Sequence, residues 1–292
     1  SAQKHLIRFF PSDELFCFLP LCHIYERTTS GLNPIVNKTT VNFAENIETV
    51  FENLQEVSPM YFAGVPRIYE KIYSNFNLAL SEATNFSRWA YFLALKVALK
   101  KVQCQLESRS IPVMTNLLYK ISDYFVFKNL RRMIGFDRIT KAVTGAAPIS
   151  PELLEWYLAI GIPIVEGYGM TETTALMTVN APKDNRVGTV GKLYPGCQVR
   201  IAEDGEIQFT SASVFKGYYN NEDLTSQAFT NDGWFKTGDQ GIVDGKFLKI
   251  TGRLKDIIIT AGGKNISPAE IENSLKFSKY ISDAIVVGDS KK

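Results

Sequence analysis

Apolar positions along the chain change their period several times, and each change marks an element. Residues 15–19 form a short apolar run closed by Pro20, the pattern of a buried strand. After Asn42, apolar residues fall at Phe43, Ile47, Val50, Phe51 and Leu54. That spacing predicts a helix, with Asn42 and Glu45 placed as a capping pair. Residues 60–63 read as another strand, and Gly64 and Pro66 then mark a turn and a helix start. Residues 86–134 read as helices, with apolar positions running through Trp89, Tyr91, Phe92 and Leu95. A second set follows at Leu117, Leu118, Ile121, Phe125 and Leu130.

The next stretch has βαβ form. Residues 139–144 are strand-like, residues 151–160 are helical between Pro151 and Gly161, and residues 162–166 are strand-like again. A right-handed crossover makes the two strands parallel. The segments Thr144-Gly145-Ala146-Ala147-Pro148 and Gly167-Tyr168-Gly169 then leave the same carboxyl edge, where open α/β sheets bind ligands. From about residue 187 the pattern becomes antiparallel. Residues 198–202 and 206–210 flank Asp204-Gly205, and residues 241–243 and 246–250 flank Asp244-Gly245, two hairpin signals. Ile257-Ile258-Ile259 is a further β-branched run, and Pro268 opens a final helix through Leu275.

The expected fold class is therefore α/β: parallel-sheet layers with helices and a helical insertion, followed by an antiparallel β subdomain and the start of a small α+β C-terminal domain. The expected boundaries are 1–186 for the α/β part, with its insertion at about 86–134, then 187–254 for the β subdomain and 255–292 for the last part.

Composition changes this picture in three ways. The 292 residues, 45% hydrophobic and 21% charged, suit a large soluble core, and a net charge of +2 gives no reason to expect a nucleic-acid partner. Charge is unevenly spread, however. Residues 86–134 hold nine Lys/Arg against Glu107 and Asp123, so the rest of the chain is net acidic. Trp89, Tyr91 and Phe92 beside Lys96, Lys100 and Lys101 fit an interfacial amphipathic helix that touches a membrane. They equally fit aromatics in a core with lysines on a solvated face. Finally, Cys17, Cys22, Cys104 and Cys197 have no metal-ligand spacing and suit free thiols in a reducing compartment. No apolar run approaches the roughly 18 residues of a membrane span. A cytoplasmic location, with peripheral membrane contact through the basic insertion as an addition, is expected.

Four segments carry candidate chemistry. In the run of residues 165–173, Gly167 and Gly169 permit tight turns and close ligand approach. Tyr168 has a ring to stack on a base, an interaction worth roughly 1–3 kcal/mol elsewhere. Thr171 has a hydroxyl for a phosphate oxygen, and Glu172 has a carboxylate for Mg²⁺. A polar turn after a buried strand is the plainer alternative. Asp239 in Thr237-Gly238-Asp239 suits the vicinal hydroxyls of a ribose, or turn amides. Arg253, in Gly252-Arg253-Leu254-Lys255-Asp256, suits a ribose or phosphate, or an exposed linker. His23 follows a buried strand and fits either a site or a structural role.

In order along the chain, the segments Leu19-Pro20-Leu21-Cys22-His23-Ile24-Tyr25-Glu26-Arg27, Gly64-Val65-Pro66-Arg67-Ile68-Tyr69-Glu70-Lys71, Thr144-Gly145-Ala146-Ala147-Pro148 and Gly167-Tyr168-Gly169-Met170-Thr171-Glu172-Thr173 are followed by Asp232-Gly233-Trp234-Phe235-Lys236-Thr237-Gly238-Asp239, Gly252-Arg253-Leu254-Lys255-Asp256 and Gly262-Gly263-Lys264-Asn265-Ile266-Ser267-Pro268. This ordered set resembles the acyl-adenylate-forming (AMP-binding) superfamily, and within it the long-chain fatty-acid–CoA ligases. The resemblance implies a two-step reaction with fatty acid, ATP, Mg²⁺ and coenzyme A. A fatty carboxylate attacks the α-phosphorus of ATP, giving acyl-AMP and pyrophosphate, and the thiol of coenzyme A then displaces AMP. It further implies that Gly145, Ala146, Ala147, Tyr168 and Gly169 frame the nucleotide, Thr171 contacts phosphate and Glu172 supports Mg²⁺. Asp239 and Arg253 would hold the ribose, His23 would sit beside the acyl carboxylate, and Lys255 would be the hinge of the C-terminal domain. Gly262 and Gly263 would line the tunnel for coenzyme A.

Two parts of the family pattern have no counterpart. A Gly/Ser/Thr-rich phosphate loop is not found in residues 1–22, and a catalytic lysine of the small domain would fall beyond Lys292. The expectation is an internal fragment, opening at Ser1 without a methionine, that does not make acyl-CoA at a useful rate by itself. A fatty-acyl–AMP ligase serving a carrier protein, and a non-catalytic nucleotide- or acyl-binding protein, are the alternatives.

Overall fold

Two-residue alternation sorts the strand side chains of the main sheet onto two faces. Leu15, Tyr61, Ala63, Val143 and Val165 point to one, and Phe16, Phe62, Ala142 and Ile164 to the other. Both sets are buried, which is why these strands appear in the sequence as continuous apolar runs. The structure, a computed structural model, describes residues 7–259, 265–276, 281 and 283–288.

The main sheet begins with β1 (Glu14–Cys17). A short α1 (Ile24–Glu26) leads through a π turn (Arg27–Leu32) into α2 (Asn33–Asn37) and then β2 (Thr40–Phe43). Next come α3 (Val50–Val57), β3 (Tyr61–Gly64) and α4 (Pro66–Glu82). The insertion follows as α5 (Asn85–Leu106), α6 (Val113–Ser122), a second π turn (Asp123–Phe127) and α7 (Lys128–Met133). Then β4 (Lys141–Thr144), α8 (Pro151–Ala159), β5 (Ile164–Met170), β6 (Ala175–Val179) and β7 (Lys192–Leu193) complete the sheet. Its order is β2-β1-β3-β4-β5-β6-β7, parallel from β2 to β5 and antiparallel thereafter.

Helix starts follow the local chemistry. Pro66 opens α4, whose Tyr69, Ile72 and Phe76 recur on the buried face. Ser150 caps α8 by accepting from the Leu153 N–H at 3.1 Å, and Thr84 caps α5 by accepting from Ser87 at 3.2 Å. In α5 the stripe Tyr91, Ala94, Ala98 and Val102 faces the core. There the indole N–H of Trp156 donates to the Tyr91 hydroxyl at 2.7 Å, tying α8 to the insertion. Tyr91→Phe is expected to cost about 1–3 kcal/mol, since it leaves a buried N–H unpaired. Urea melts check this, and a change under 0.5 kcal/mol would mean the bond contributes little.

The structure departs from the sequence reading at Asn42. No helix starts there. Residues 40–43 form a strand in register with β1, with Asn42 opposite Phe16, and the Asn42 amide donates to the Leu15 carbonyl at 3.4 Å. A ladder beside a buried strand satisfies this backbone better than a helix that starts in solvent. The helix starts only at Val50, and Asn46 takes the turn before it by accepting from the N–H groups of Glu48 and Thr49. The aromatics of α5 divide as well: Tyr91 is buried, whereas Trp89 is 62% and Phe92 58% exposed. The helix thus buries one of these three aromatics and leaves two at the surface.

Beyond the main sheet, β8 (Gln198–Ile201), β9 (Glu206–Thr210), α9 (Glu222–Ala228), β10 (Phe235–Asp244) and β11 (Phe247–Arg253) build an antiparallel sheet of order β11-β10-β9-β8. Asp204-Gly205 and Asp244-Gly245 make its hairpins, as the sequence indicated, with both glycines at positive φ. The second sheet hangs on the edge of the first. Val190 N–H donates to Leu248, and Leu248 N–H to Gly191, each at 2.9 Å. A two-stranded β12 (Ile258–Ile259) and β13 (Asn265–Ile266), then α10 (Pro268–Lys276), follow.

Candidate functional site

Parallel pairing between β4 and β5 ends at Thr144 opposite Glu166. Beyond that point β4 turns away, while β5 continues for four residues paired only with β6. The divergence opens a cleft at the carboxyl edge of the sheet, as the βαβ argument predicts. It also corrects one expectation. Gly167-Tyr168-Gly169 is strand, and its glycines answer to packing. A Cβ on Gly169 would sit 1.5 Å from the Ala175 carbonyl oxygen, and one on Gly167 would sit 2.9 Å from the Leu176 side chain. A bulge between Tyr168 and Gly169 accompanies this close approach.

A cavity of about 230 Å³ occupies the cleft. Gly145 and Ala146 form one wall, and Gly169, Thr171 and Glu172 the other; His23 and Tyr25 close a side, over a floor of Ala63, Val143 and Leu176. Gly145 is held against the second wall so closely that a Cβ there would meet the Gly167 carbonyl oxygen at 2.7 Å. Ala146 takes φ +68°, a conformation that costs a non-glycine residue energy. Ala147 lies on the exposed side of that turn and does not line the cavity. His23 is exposed and caps α1, its Nδ1 accepting from the Tyr25 N–H at 3.3 Å. Tyr25 is itself held by a hydroxyl–hydroxyl bond to Tyr61, and burial raises its pKa to about 12.

Behind the second wall, Tyr168, Asp239 and Arg253 form one connected group. The Tyr168 hydroxyl donates to Asp239 Oδ2 at 2.6 Å, and Arg253 Nε donates to Asp239 Oδ1 at 3.1 Å. Asp239 and Arg253 are cross-strand partners on β10 and β11, so residues 14 apart in sequence meet through the hairpin register. The Asp239 side chain is 7% exposed and that of Arg253 70%. Burial, then the neighbouring carboxylate, pushes the Tyr168 phenol well above its usual pKa and keeps it a donor. Each Asp239 oxygen retains a second lone pair, and the terminal guanidinium nitrogens of Arg253 remain available. A kink places this carboxylate: Gly238 at φ +72° donates its N–H to buried Glu206 at 3.0 Å.

Glu172 sits on a 3₁₀ turn (Thr171–Thr173) after β5. Its Oε1 accepts from the Tyr218 hydroxyl at 3.0 Å, and its carbonyl accepts from Phe215 N–H at 2.8 Å. Among the described residues no three His, Cys, Asp or Glu side chains gather as a metal cluster. One carboxylate facing a cleft instead fits Mg²⁺ held between protein and substrate phosphates. Tyr218 is a contact the sequence reading missed, and its only signal is the Gly217-Tyr218-Tyr219 run. Glu166 was missed too. Burial raises its carboxyl pKa to about 8, against a Gly188 N–H donated at 3.2 Å. Lys255 lies in the exposed turn after β11, away from the cavity, and Gly262 and Gly263 lie outside the described residues.

Residues 1–219 match the AMP-binding enzyme family. The chain belongs to that family. This AMP-binding enzyme chain is 40% identical over 282 residues to the long-chain-fatty-acid–CoA ligase FadD15 of Mycobacterium bovis, covering 96% of itself and 46% of the relative. It is 37% identical over 289 residues to the long-chain-fatty-acid–CoA ligase ACSBG2 of Gallus gallus, covering 94% and 37%. The chain thus spans about half the length, or less, of these relatives. Its fold is that of O-succinylbenzoate coenzyme A synthetase from Bacillus subtilis in complex with AMP, with a TM-score of 0.69, 23% identity and coverage of 100% and 51%. The adenylation domain of carboxylic acid reductase from Segniliparus rugosus, in complex with AMP and a carboxylic acid, has a TM-score of 0.68 at 20% identity, covering 96% and 41%.

Proposed function

We propose that this chain carries the adenosine-binding wall of a long-chain fatty-acid–CoA ligase, which activates a fatty acid with ATP and passes it to coenzyme A. The observation behind this reading is the Tyr168–Asp239–Arg253 group next to a cleft bounded by Gly145 and Ala146, in a chain of the AMP-binding enzyme family. Adenine stacks on Tyr168 on the outer side of the second wall, the side that carries Asp239, with the exposed Ala147 turn and Gly169 at its edge. The ribose diol donates to the free lone pairs of Asp239 and accepts from Arg253. The Thr171 hydroxyl donates to phosphate, and Glu172 is the protein ligand to Mg²⁺, which neutralises phosphate charge when bound. His23, across the cavity, stands beside the acyl carboxylate.

Two anions must meet in the first step, so orientation and fixed donors are what the protein supplies. The buried Asp239 anchors the ribose, and the opposed walls hold the α-phosphate in line. Lys255 is the pivot between the β subdomain of residues 187–254 and the C-terminal part that begins at residue 255.

Titration calorimetry of the 292-residue chain with AMP tests this reading. AMP should bind and GMP should not. Asp239→Asn should weaken AMP roughly ten- to a hundredfold, the worth of a hydrogen bond to a charged group, with circular dichroism verifying that the variant is folded. A long-chain acyl-AMP analogue with a hydrolysis-resistant linkage should bind tighter than AMP. Equal affinity of wild type and Asp239→Asn would remove Asp239 from the site, and no binding of either nucleotide would refute the reading.

A further inference from the structure

We propose that the α6 face of the insertion is a docking surface for an anionic lipid bilayer. Among residues 113–125, every third or fourth side chain is apolar and open to solvent. Met114, Leu117, Leu118, Ile121 and Phe125 are 42–68% exposed, and Val113 is 87% exposed. The opposite side of the same segment is anchored: Thr115 and Phe127 are buried, and Lys101 lies over the Tyr119 ring at 3.4 Å. The outward stripe is therefore an ordered feature of a packed helix and no frayed end. Soluble surfaces scatter single apolar residues and do not align them along three turns.

The charge beside the stripe selects the occupant. Lys120 and Lys128 flank it, and Lys96, Lys100 and Arg132 add exposed cations with no acidic partner among the described residues. The two acids of the insertion are already engaged, Glu107 by Arg109 and Asp123 by Arg131. An apolar stripe with unpaired cations and no free anion complements a surface that is negative outside and apolar within. Exposed Trp89 and Phe92 on α5 and Tyr124 on the π turn have the amphipathic rings that settle at such an interface. No helix among the described residues is long and apolar enough to cross a membrane, so α6 lies in the plane of the surface, its stripe in the acyl boundary and its lysines at the headgroups. A second protein copy is the less suited occupant, because two such basic faces repel.

Vesicle flotation with the 292-residue chain tests the proposal, with neutral phosphatidylcholine vesicles and vesicles carrying 30% phosphatidylglycerol (a fraction of about one lipid in three, chosen to set a strong surface potential). Binding to the anionic vesicles, weakened by salt, is expected. Lys120→Ala with Lys128→Ala should weaken it roughly thirtyfold, at about a fivefold loss per lysine. Leu117→Glu with Phe125→Glu should abolish it. All four positions are exposed, and circular dichroism and melting temperature verify that each variant is folded. No binding by the folded wild type overturns the proposal, as does equal binding to neutral vesicles. A dimer in light scattering that Phe125→Glu dissolves would assign the face to a second copy and likewise overturn it.

Discussion

Gly169→Ala is expected to break the β5–β6 edge and to remove AMP binding with it. The added methyl carbon would lie 1.5 Å from the Ala175 carbonyl oxygen and 2.6 Å from its carbonyl carbon. No rotamer relieves that contact, because the methyl has none and the obstacle is backbone. One strand must move by more than an ångström, and the ladder from Gly167 opposite Val179 to Met170 opposite Ala175 moves with it. The same strands carry Tyr168 on one side and lead into Thr171 and Glu172 on the other, so both the Asp239 contact and the cavity wall shift. The cost belongs at the top of the range for single substitutions, about 4 kcal/mol or more. Gly31→Ala is the matched control. It is helical, not at positive φ, and has open space around its Cβ position. There alanine should be neutral or stabilise by up to about 1 kcal/mol. Urea melts of both variants, with AMP titrations, check the pair. A Gly169→Ala chain that melts like wild type and binds AMP would show that β6 yields freely and that the wall is soft.

That glycine also marks how far the sequence can be read. A helix between Pro151 and Gly161 flanked by apolar strands fixes a parallel pair and hence the edge where a ligand site forms, and this needed only period and handedness. The two Asp-Gly hairpins were equally plain, because their turns demand positive φ. What the sequence concealed were relations between distant segments. Gly167 and Gly169 looked like ligand-approach glycines and both line the cavity, but β6, which arrives only after the 3₁₀ turn, also excludes their side chains. Asn42 carried a good capping pattern, but the neighbouring β1 backbone offered it a ladder. Asp239 and Arg253 were each legible as candidates. That they share a hydrogen bond with each other, and Asp239 another with Tyr168, depends on register and on the Gly238 kink, which no spacing rule reports. Glu166 was invisible for the same reason: a carboxylate in an apolar strand shows its consequence only once burial is known.

Glu166→Gln is expected to stabilise the chain above pH 8 and to remove part of its pH dependence. Burial is the main cause that lifts the Glu166 pKa from 4.5 to about 8, and the single N–H from Gly188 offsets only part of it. In the unfolded chain the carboxyl ionises near its ordinary value. Between pH 4.5 and 8 the folded state therefore keeps a proton that the unfolded state has released. Stability contributed by this group is greatest below pH 4.5, falls as pH rises through that window, and stays at its minimum above pH 8. The steepest slope is about 1.4 kcal/mol per pH unit. Glutamine keeps an acceptor for Gly188 and carries no charge, so its curve should lack this slope and lie above wild type at pH 9. Urea melts at pH 5, 7 and 9 compare the two chains, and parallel curves would mean that water reaches Glu166 and ionises it at its ordinary pKa. The position gives the titration a functional reading. Glu166 is the last residue at which β5 pairs with β4, directly before the strand that walls the cavity. A charge forced there at high pH strains the point from which both walls diverge, and AMP affinity should decline above pH 8 in wild type more than in Glu166→Gln.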